Sequence, residues 1–350
     1  MLIVDNASLS CGSIKELPFV LRKIGNVKKI LIFTGKKVFE NFRGIIIPLL
    51  ESYDIDYYSD FSTNPTDTDL QKALNKLKKD YQAIIAIGGG SVIDFAKLFN
   101  FNRGKHLFLT AVPTTAGSGS EATKFAVYWV KGKKQSVEDE SILPNYAIVD
   151  SQFLTSCPKY LKACSSFDAF AQAVESFWSI RSTDESRRYA KKSIYLCKEN
   201  IVDFVNSNDK KSMENMSLAS FLAGKAINIS KTTAAHALSY VFTIRFNIPH
   251  GHAVALSFSK LFAANTNIPI GALNDKRGLD YVNEISKELK DILSKEYFDK
   301  LFEKINLETR LKKLGINNTA ELVKEVNLER MANNPRIFTQ KELEDLFNND

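Results

Sequence analysis

Short apolar, β-rich runs alternate with helical periodicity through the first half of the chain. They are KKILIFTG at 28–35, DIDYYSD at 54–60, YQAIIAIGGG at 81–90, HLFLTAVPTT at 106–115 and NYAIVD at 145–150. Such alternation predicts βαβ units and a parallel, Rossmann-like sheet. After about Asp150 the strand signals stop. From SFDAFAQAVESFWS at 166–179 onward, apolar residues recur every three to four positions, with Gly or Pro as punctuation. The expected organisation is an α/β N-terminal domain over residues 1–155 and an all-α domain over 156–350, with a cleft between them. No internal repeat or low-complexity segment interrupts this pattern.

Composition narrows the class. A chain of 350 residues suits two domains, and 44% hydrophobic with 25% charged residues is a globular balance. No apolar run approaches the length of a membrane span, and MLIVDNASLSCGSIKELP lacks the layout of a secretory signal, so the expected location is cytoplasmic. Cys11, Cys157, Cys164 and Cys197 show no CxxC spacing, which argues for reduced, structural thiols. The net charge of +7 comes from lysine-rich stretches of alternating sign. A solvated surface explains it first and an anionic small substrate second; no basic, aromatic-interleaved patch points to nucleic acid.

Two loops carry nucleotide chemistry. Gly88, Gly89 and Gly90 follow a buried strand and precede a helix starting near Ser91. Amides at such a turn approach a pyrophosphate closely, and the helix N-terminus adds positive potential. The loop is not GxGxxG. VPTTAGSGSEAT at 112–123 again follows a strand and supplies the hydroxyls of Thr114, Thr115, Ser118 and Ser120; strand ends of this kind are where open parallel sheets bind ligands. Near Thr34 a strand ends in Gly35, Lys36 and Lys37 where a carboxylate would favour NAD, so NADP(H) is admitted beside NAD(H).

Three of the four histidines, His236, His250 and His252, fall within a short segment. A lone histidine on an apolar face is usually a hydrogen-bonded core residue. Here, however, Asp168 and Gln172 stand four apart on one helix face, with Glu175 one step round. One carboxylate, one amide oxygen and two imidazoles make a mixed set suited to Fe(II) or Zn(II).

The ordered blocks NPT at 64–66, GGGSVIDFAK at 88–97, PTTAGSGSEAT at 113–123, LPNYAIVD at 143–150, DAFAQAVESFWS at 168–179, HALSY at 236–240, PHGHA at 249–253 and NPR at 334–336 resemble the iron-containing (group III) alcohol dehydrogenases. The resemblance covers nearly the whole chain. It implies the dehydroquinate synthase-like fold, a metal held by Asp168, Gln172, His236 and His250, and a dinucleotide held by Gly35, Asn64, Gly88, Gly89, Gly90, Ser91, Asp94, Thr114, Thr115, Ser118 and Lys134. Many members carry histidine where Gln172 and Tyr240 stand. Gln172, AINISKTTAAHALSY and PHGHA look most like the branch that reduces phosphonoacetaldehyde to 2-hydroxyethylphosphonate, for which Lys225 or Lys231 would offer a cation.

The implied reaction is reversible reduction of a small aldehyde, with His252 or Tyr240 as proton donor. The implied partner is a small aldehyde or alcohol, an anionic phosphonate among them, with neither nucleic acid nor membrane and with room for a homodimer. A polyol-phosphate dehydrogenase or a dehydroquinate synthase-like lyase would use the same fold. From another class, a nucleic-acid-binding protein with structural histidines would show salt-sensitive binding and no cofactor turnover.

Overall fold

The computed structural model describes residues 2–4, 6–326 and 331–348. The chain forms two compact units, Met1–Cys157 with Met213–Gly224, and Pro158–Ser212 with Lys225–Asp350.

In the first unit the strands are β1 (Leu2–Val4), β2 (Ala7–Leu9), β3 (Lys29–Thr34), β4 (Asp54–Tyr58), β5 (Ala83–Gly88), β6 (Phe108–Pro113), β7 (Phe125–Val130), β8 (Lys133–Glu138) and β9 (Tyr146–Val149). Its helices are α1 (Leu17–Ile24), α2 (Lys36–Ile46), α3 (Asp67–Lys76) and α4 (Gly90–Asn102). The main sheet runs β1-β2-β9-β6-β5-β3-β4. All neighbours are parallel except β1 on β2. Every run identified from the pattern is a strand of this sheet.

The reason is burial on both faces. Along β3, Leu31 and Phe33 enter a core with α3 and α4, while Ile30 and Ile32 enter the opposite core with α1 and α2. Alternate residues of a strand point to opposite faces, so a strand apolar throughout belongs inside a covered sheet. The order reverses between β3 and β5, which puts Gly35 and Gly88 side by side at the topological switch point.

Two features lie outside the pattern. β7 and β8 form a separate antiparallel hairpin, turned at Lys131 (φ 48°) and Gly132 (φ 75°). Positive φ at both turn residues matches strand twist. Residues 213–224, expected within the helical domain, belong instead to the first unit, because Phe221 and Leu218 pack with Ala7, Leu9, Ala122 and Val149.

The second unit is helical among its described residues: α5 (Lys159–Trp178), α6 (Asp184–Asn206), α7 (Lys210–Ser230, whose middle belongs to the first unit), α8 (Ala234–Phe246), α9 (His250–Asn265), α10 (Leu279–Ile292), α11 (Lys295–Lys304), α12 (Thr319–Lys324) and α13 (Gln340–Asn348). Nearly every residue of α5 from Lys162 onward is buried. Phe298 of α11 meets Phe167, Phe170, Phe258 and Phe262 edge-on or tilted, an aromatic core that fixes α5 against α9 and α11. No helix among the described residues is long and apolar enough to cross a membrane.

Candidate metal centre and dinucleotide loops

α5 presents Asp168, Gln172 and Glu175 along one buried face; they are 6%, 4% and 0% exposed. His236 lies in the first turn of α8 and His250 begins α9. Asp168 Oδ1 is 3.1 Å from His236 Nε2 and 3.8 Å from His250 Nε2. The ligand atoms of Asp168, His236 and His250 all lie within 4.8 Å of one another. Gln172, the fourth expected ligand, is one helical turn from Asp168 on the same helix.

The close approach of α9 to α5 depends on Gly251. A Cβ there would sit 1.9 Å from the Cys164 carbonyl oxygen and 3.1 Å from Asp168 Cβ. Only glycine allows the first turn of α9 to rest on the α5 backbone, and that seat is what brings His250 to Asp168.

Both imidazoles are held by their far nitrogens. His236 Nδ1 is hydrogen-bonded to Glu175 Oε2, and Glu175 Oε1 accepts from the Thr233 hydroxyl and the Ala235 N–H, each at 2.8 Å. Ser239 Oγ donates to the His236 carbonyl at 2.7 Å, so toward His250 Nδ1, 3.3 Å away, it can only accept. Each Nδ1 therefore carries a hydrogen, which leaves Nε2, the nitrogen facing Asp168, as the one a metal would take in exchange for its proton.

Two imidazole nitrogens converging on one carboxylate oxygen make a site for positive charge. Burial alone would lower His236, but the charge of Glu175 and the hydrogen bonds to Asp168 and Glu175 outweigh it and push the imidazole up to about 10. In the metal-free protein a proton meets that demand, and a divalent ion would displace it. The donor set, carboxylate oxygen with two imidazole nitrogens and an amide oxygen nearby, fits Fe(II) or Zn(II).

The two candidate proton donors are placed differently. His252 Nε2 donates to the Glu308 carbonyl at 2.7 Å, so Nδ1 accepts from Tyr160 Oη at 2.8 Å. Burial lowers His252, and both nitrogens are engaged in tying α9 to α5 and to the segment after α11. Tyr240 stacks on the His250 ring, centroids 5.9 Å apart and planes 8° off parallel.

In the first unit the two glycine loops meet. Thr114 N–H donates to the Gly88 carbonyl at 3.0 Å, and a Cβ on Gly90 would lie 2.5 Å from Ser118 Oγ. Ser91, Thr115 and Ser118 are half-buried at this junction, while Thr114 is buried. Asp94 faces inward instead: it accepts from Ser120 Oγ and from Val127 N–H at 3.0 Å, locking the second loop and the hairpin onto α4. Beneath it Lys97 is fully buried and bonds Ser120 Oγ, the Thr123 carbonyl and the Phe125 carbonyl at 2.8–3.0 Å.

Trp129 joins two more expected residues. It pairs with Lys134 across the hairpin, and its N–H reaches the Pro65 carbonyl at 2.8 Å, beside Asn64. Gly35 follows β3 as the N-cap of α2, with exposed Lys36 and Lys37 opening that helix and no carboxylate at the strand end. Sequence reasoning passed over Glu175 as a holder of His236, although its i+7 spacing from Asp168 was visible; the parts of Ser239, Thr233 and Lys97 carried no such signal.

Residues 7–151 match the iron-containing alcohol dehydrogenase family, and residues 162–350 match its C-terminal region. The chain belongs to the iron-containing alcohol dehydrogenase family. Among its relatives, the phosphonoacetaldehyde reductase of Streptomyces viridochromogenes is 31% identical over 63% of this chain and 63% of its own length, so the match spans less than two thirds of that protein. The 4-hydroxybutyrate dehydrogenase of Clostridium kluyveri is 29% identical over 76% of this chain and 77% of that one. The crystal structure of sulfoacetaldehyde reductase from Bifidobacterium kashiwanohense in complex with NAD+ superposes with a TM-score of 0.86 at 25% identity, covering all of both chains.

Proposed function

We propose that the protein is a metal-dependent, NAD(P)H-linked reductase of a small anionic aldehyde, with phosphonoacetaldehyde, giving 2-hydroxyethylphosphonate, as the substrate to test first. One observation carries the reading: the convergence of Asp168 Oδ1, His236 Nε2 and His250 Nε2, with Glu175 and Ser239 beside the two Nδ1 atoms. Support for the anionic substrate comes from relatives whose names specify phosphonate and sulfonate aldehydes.

Asp168, His236 and His250, with Gln172 as fourth donor, would hold Fe(II) or Zn(II), which supplies Lewis-acid polarisation of the aldehyde oxygen. Gly88–Gly90 and Thr114–Ser118 would hold the dinucleotide phosphates. Lys36 and Lys37 suit a 2′-phosphate. A dinucleotide held there would supply the hydride, and the substrate oxygen would need a proton from this chain. Tyr240 Oη is the donor we assign, since His252 spends both nitrogens on Tyr160 and Glu308. A cytoplasmic setting suits the reduced cofactor and four cysteines that form no disulfide.

The test is NADPH and NADH oxidation with phosphonoacetaldehyde and with propanal, by metal-free protein and by protein reloaded with Fe(II) or Zn(II). Turnover should require the metal, favour the charged aldehyde, and disappear in His250→Ala. Turnover without metal, or survival of activity in His250→Ala, would sink the reading; metal-dependent activity without net NAD(P)H consumption would favour the lyase chemistry of the same fold.

A further inference from the structure

We infer that Trp178 and Thr233 are positioning residues of the metal centre: together they set the rotation of the Glu175 carboxylate and, through it, the aim of His236. The inference rests on the metal-dependent reading above and adds to it two residues that act through Glu175.

The starting observation is a helix cap left unmade. Thr233 stands at the N-cap of α8, with φ −128° and ψ −135°, and makes no side-chain cap bond to its own helix. A threonine at an N-cap ordinarily accepts from the N–H of the second or third helical residue. Here the N–H of the second, Ala235, goes to Glu175 Oε1 at 2.8 Å. A carboxylate from α5 thus satisfies the start of α8, and the Thr233 hydroxyl is left to other partners.

Trp178 decides which partners those are. Its indole N–H donates to Thr233 Oγ1 at 2.9 Å, and Trp178, Thr233 and Glu175 are all buried. An indole N–H can only donate, so Thr233 Oγ1 accepts from it, and the single hydroxyl hydrogen turns to Glu175 Oε1, 2.8 Å away. Two donors from the start of α8 therefore converge on Oε1, which leaves Oε2 for His236 Nδ1. Without the indole, the hydroxyl could swing its hydrogen elsewhere, and Glu175 would lose one of the two contacts that set its rotation.

The indole is itself held in place. Its ring stacks on Phe258, with centroids 6.2 Å apart and planes 22° off parallel, and lies 5.9 Å from Phe262. Both phenylalanines belong to α9, the helix that His250 opens. Trp178 thus stands where α5, α8 and α9 meet, the three helices that carry Asp168, His236 and His250.

The experiment measures Zn(II) affinity by chelator competition and the visible spectrum of the Co(II)-loaded protein, with thermal melts, in wild type, Thr233→Val, Thr233→Ser and Trp178→Phe. Valine keeps the shape and removes the hydroxyl, serine keeps the hydroxyl, and phenylalanine keeps a ring against α9 and removes the N–H. The Kd for Zn(II) should rise about tenfold in Thr233→Val and about threefold in Trp178→Phe. The Co(II) bands should move in both, and Thr233→Ser should stay within about twofold of wild type. Wild-type affinity and spectrum in Thr233→Val overturn the inference, whatever the melting temperature; so does a loss of affinity that serine fails to restore. Should Thr233→Val not fold, Trp178→Phe decides on the same two readouts. If wild type itself binds neither Zn(II) nor Co(II), the metal-dependent reading fails; if wild type binds both and the variants bind equally well, only the assignment to Trp178 and Thr233 fails.

Discussion

Glu175 carries three donors, the Thr233 hydroxyl, the Ala235 N–H and His236 Nδ1. Its oxygens fix the orientation of the His236 ring that faces Asp168, so it would orient a metal ligand without touching the metal. Replacing Glu175 by Gln keeps the size and removes the charge that fixes the tautomer. Metal affinity should fall about 10- to 100-fold, read by competition with a chelator and by the visible spectrum of the Co(II)-loaded protein. A variant that melts earlier yet binds metal as wild type does would mean that Glu175 only staples α8 to α5. Asp168, Gln172, His236 and His250 were legible as a donor set because spacing and residue type suffice for that. The backing of His236 by Glu175 and of His250 by Ser239 was not, because such a hydrogen bond has no counterpart in linear order.

At the scale of elements, the metal centre is a problem of bringing the start of one helix onto the side of another. PHGHA reads as a helix start, and Pro249 does stand at the N-cap of α9. The need for glycine after it appears only when the Cys164 carbonyl is seen beneath. Gly251→Ala should push the first turn of α9 off α5, costing about 1–3 kcal/mol of stability and weakening metal binding through His250. Urea unfolding with metal titration on the same samples checks both; wild-type affinity in a destabilised variant would show that His250 finds its place without this contact. The strands were legible for the opposite reason: a run apolar on both faces can satisfy itself only inside a covered parallel sheet. The β7–β8 hairpin escaped because β7, though apolar, is only half-buried, and β8, polar and mostly exposed, shows no apolar run.

At the scale of the whole molecule, the buried charges of the first unit couple its stability to pH. Glu121 is 3% exposed, and its Oε1 has no hydrogen-bond partner. Burial, with the charge of Asp94 and against that of Lys97, lifts its carboxyl to about 7 from an ordinary 4.5. The folded pKa lies above the unfolded one, so the folded state holds the proton more tightly. The stability this provides is complete below the unfolded pKa and is lost as pH rises through about 7. Glu121→Gln should therefore gain on wild type as pH rises from about 5 to 8, by about 1–3 kcal/mol, in urea midpoints measured across that range. A difference that stays constant with pH would contradict it. The sequence by itself determined the local and periodic features: which runs become strands, where helices follow, where glycine turns meet strand ends, and which residue types are able to bind a metal. Those follow from periodicity and from side-chain chemistry, both local properties. Only the tertiary structure decided which nitrogen each histidine offers, that His252 is a tether, and that residues 213–224 pack with the α/β unit. Each of these depends on contacts between residues distant in sequence, and such contacts exist only once the chain has packed.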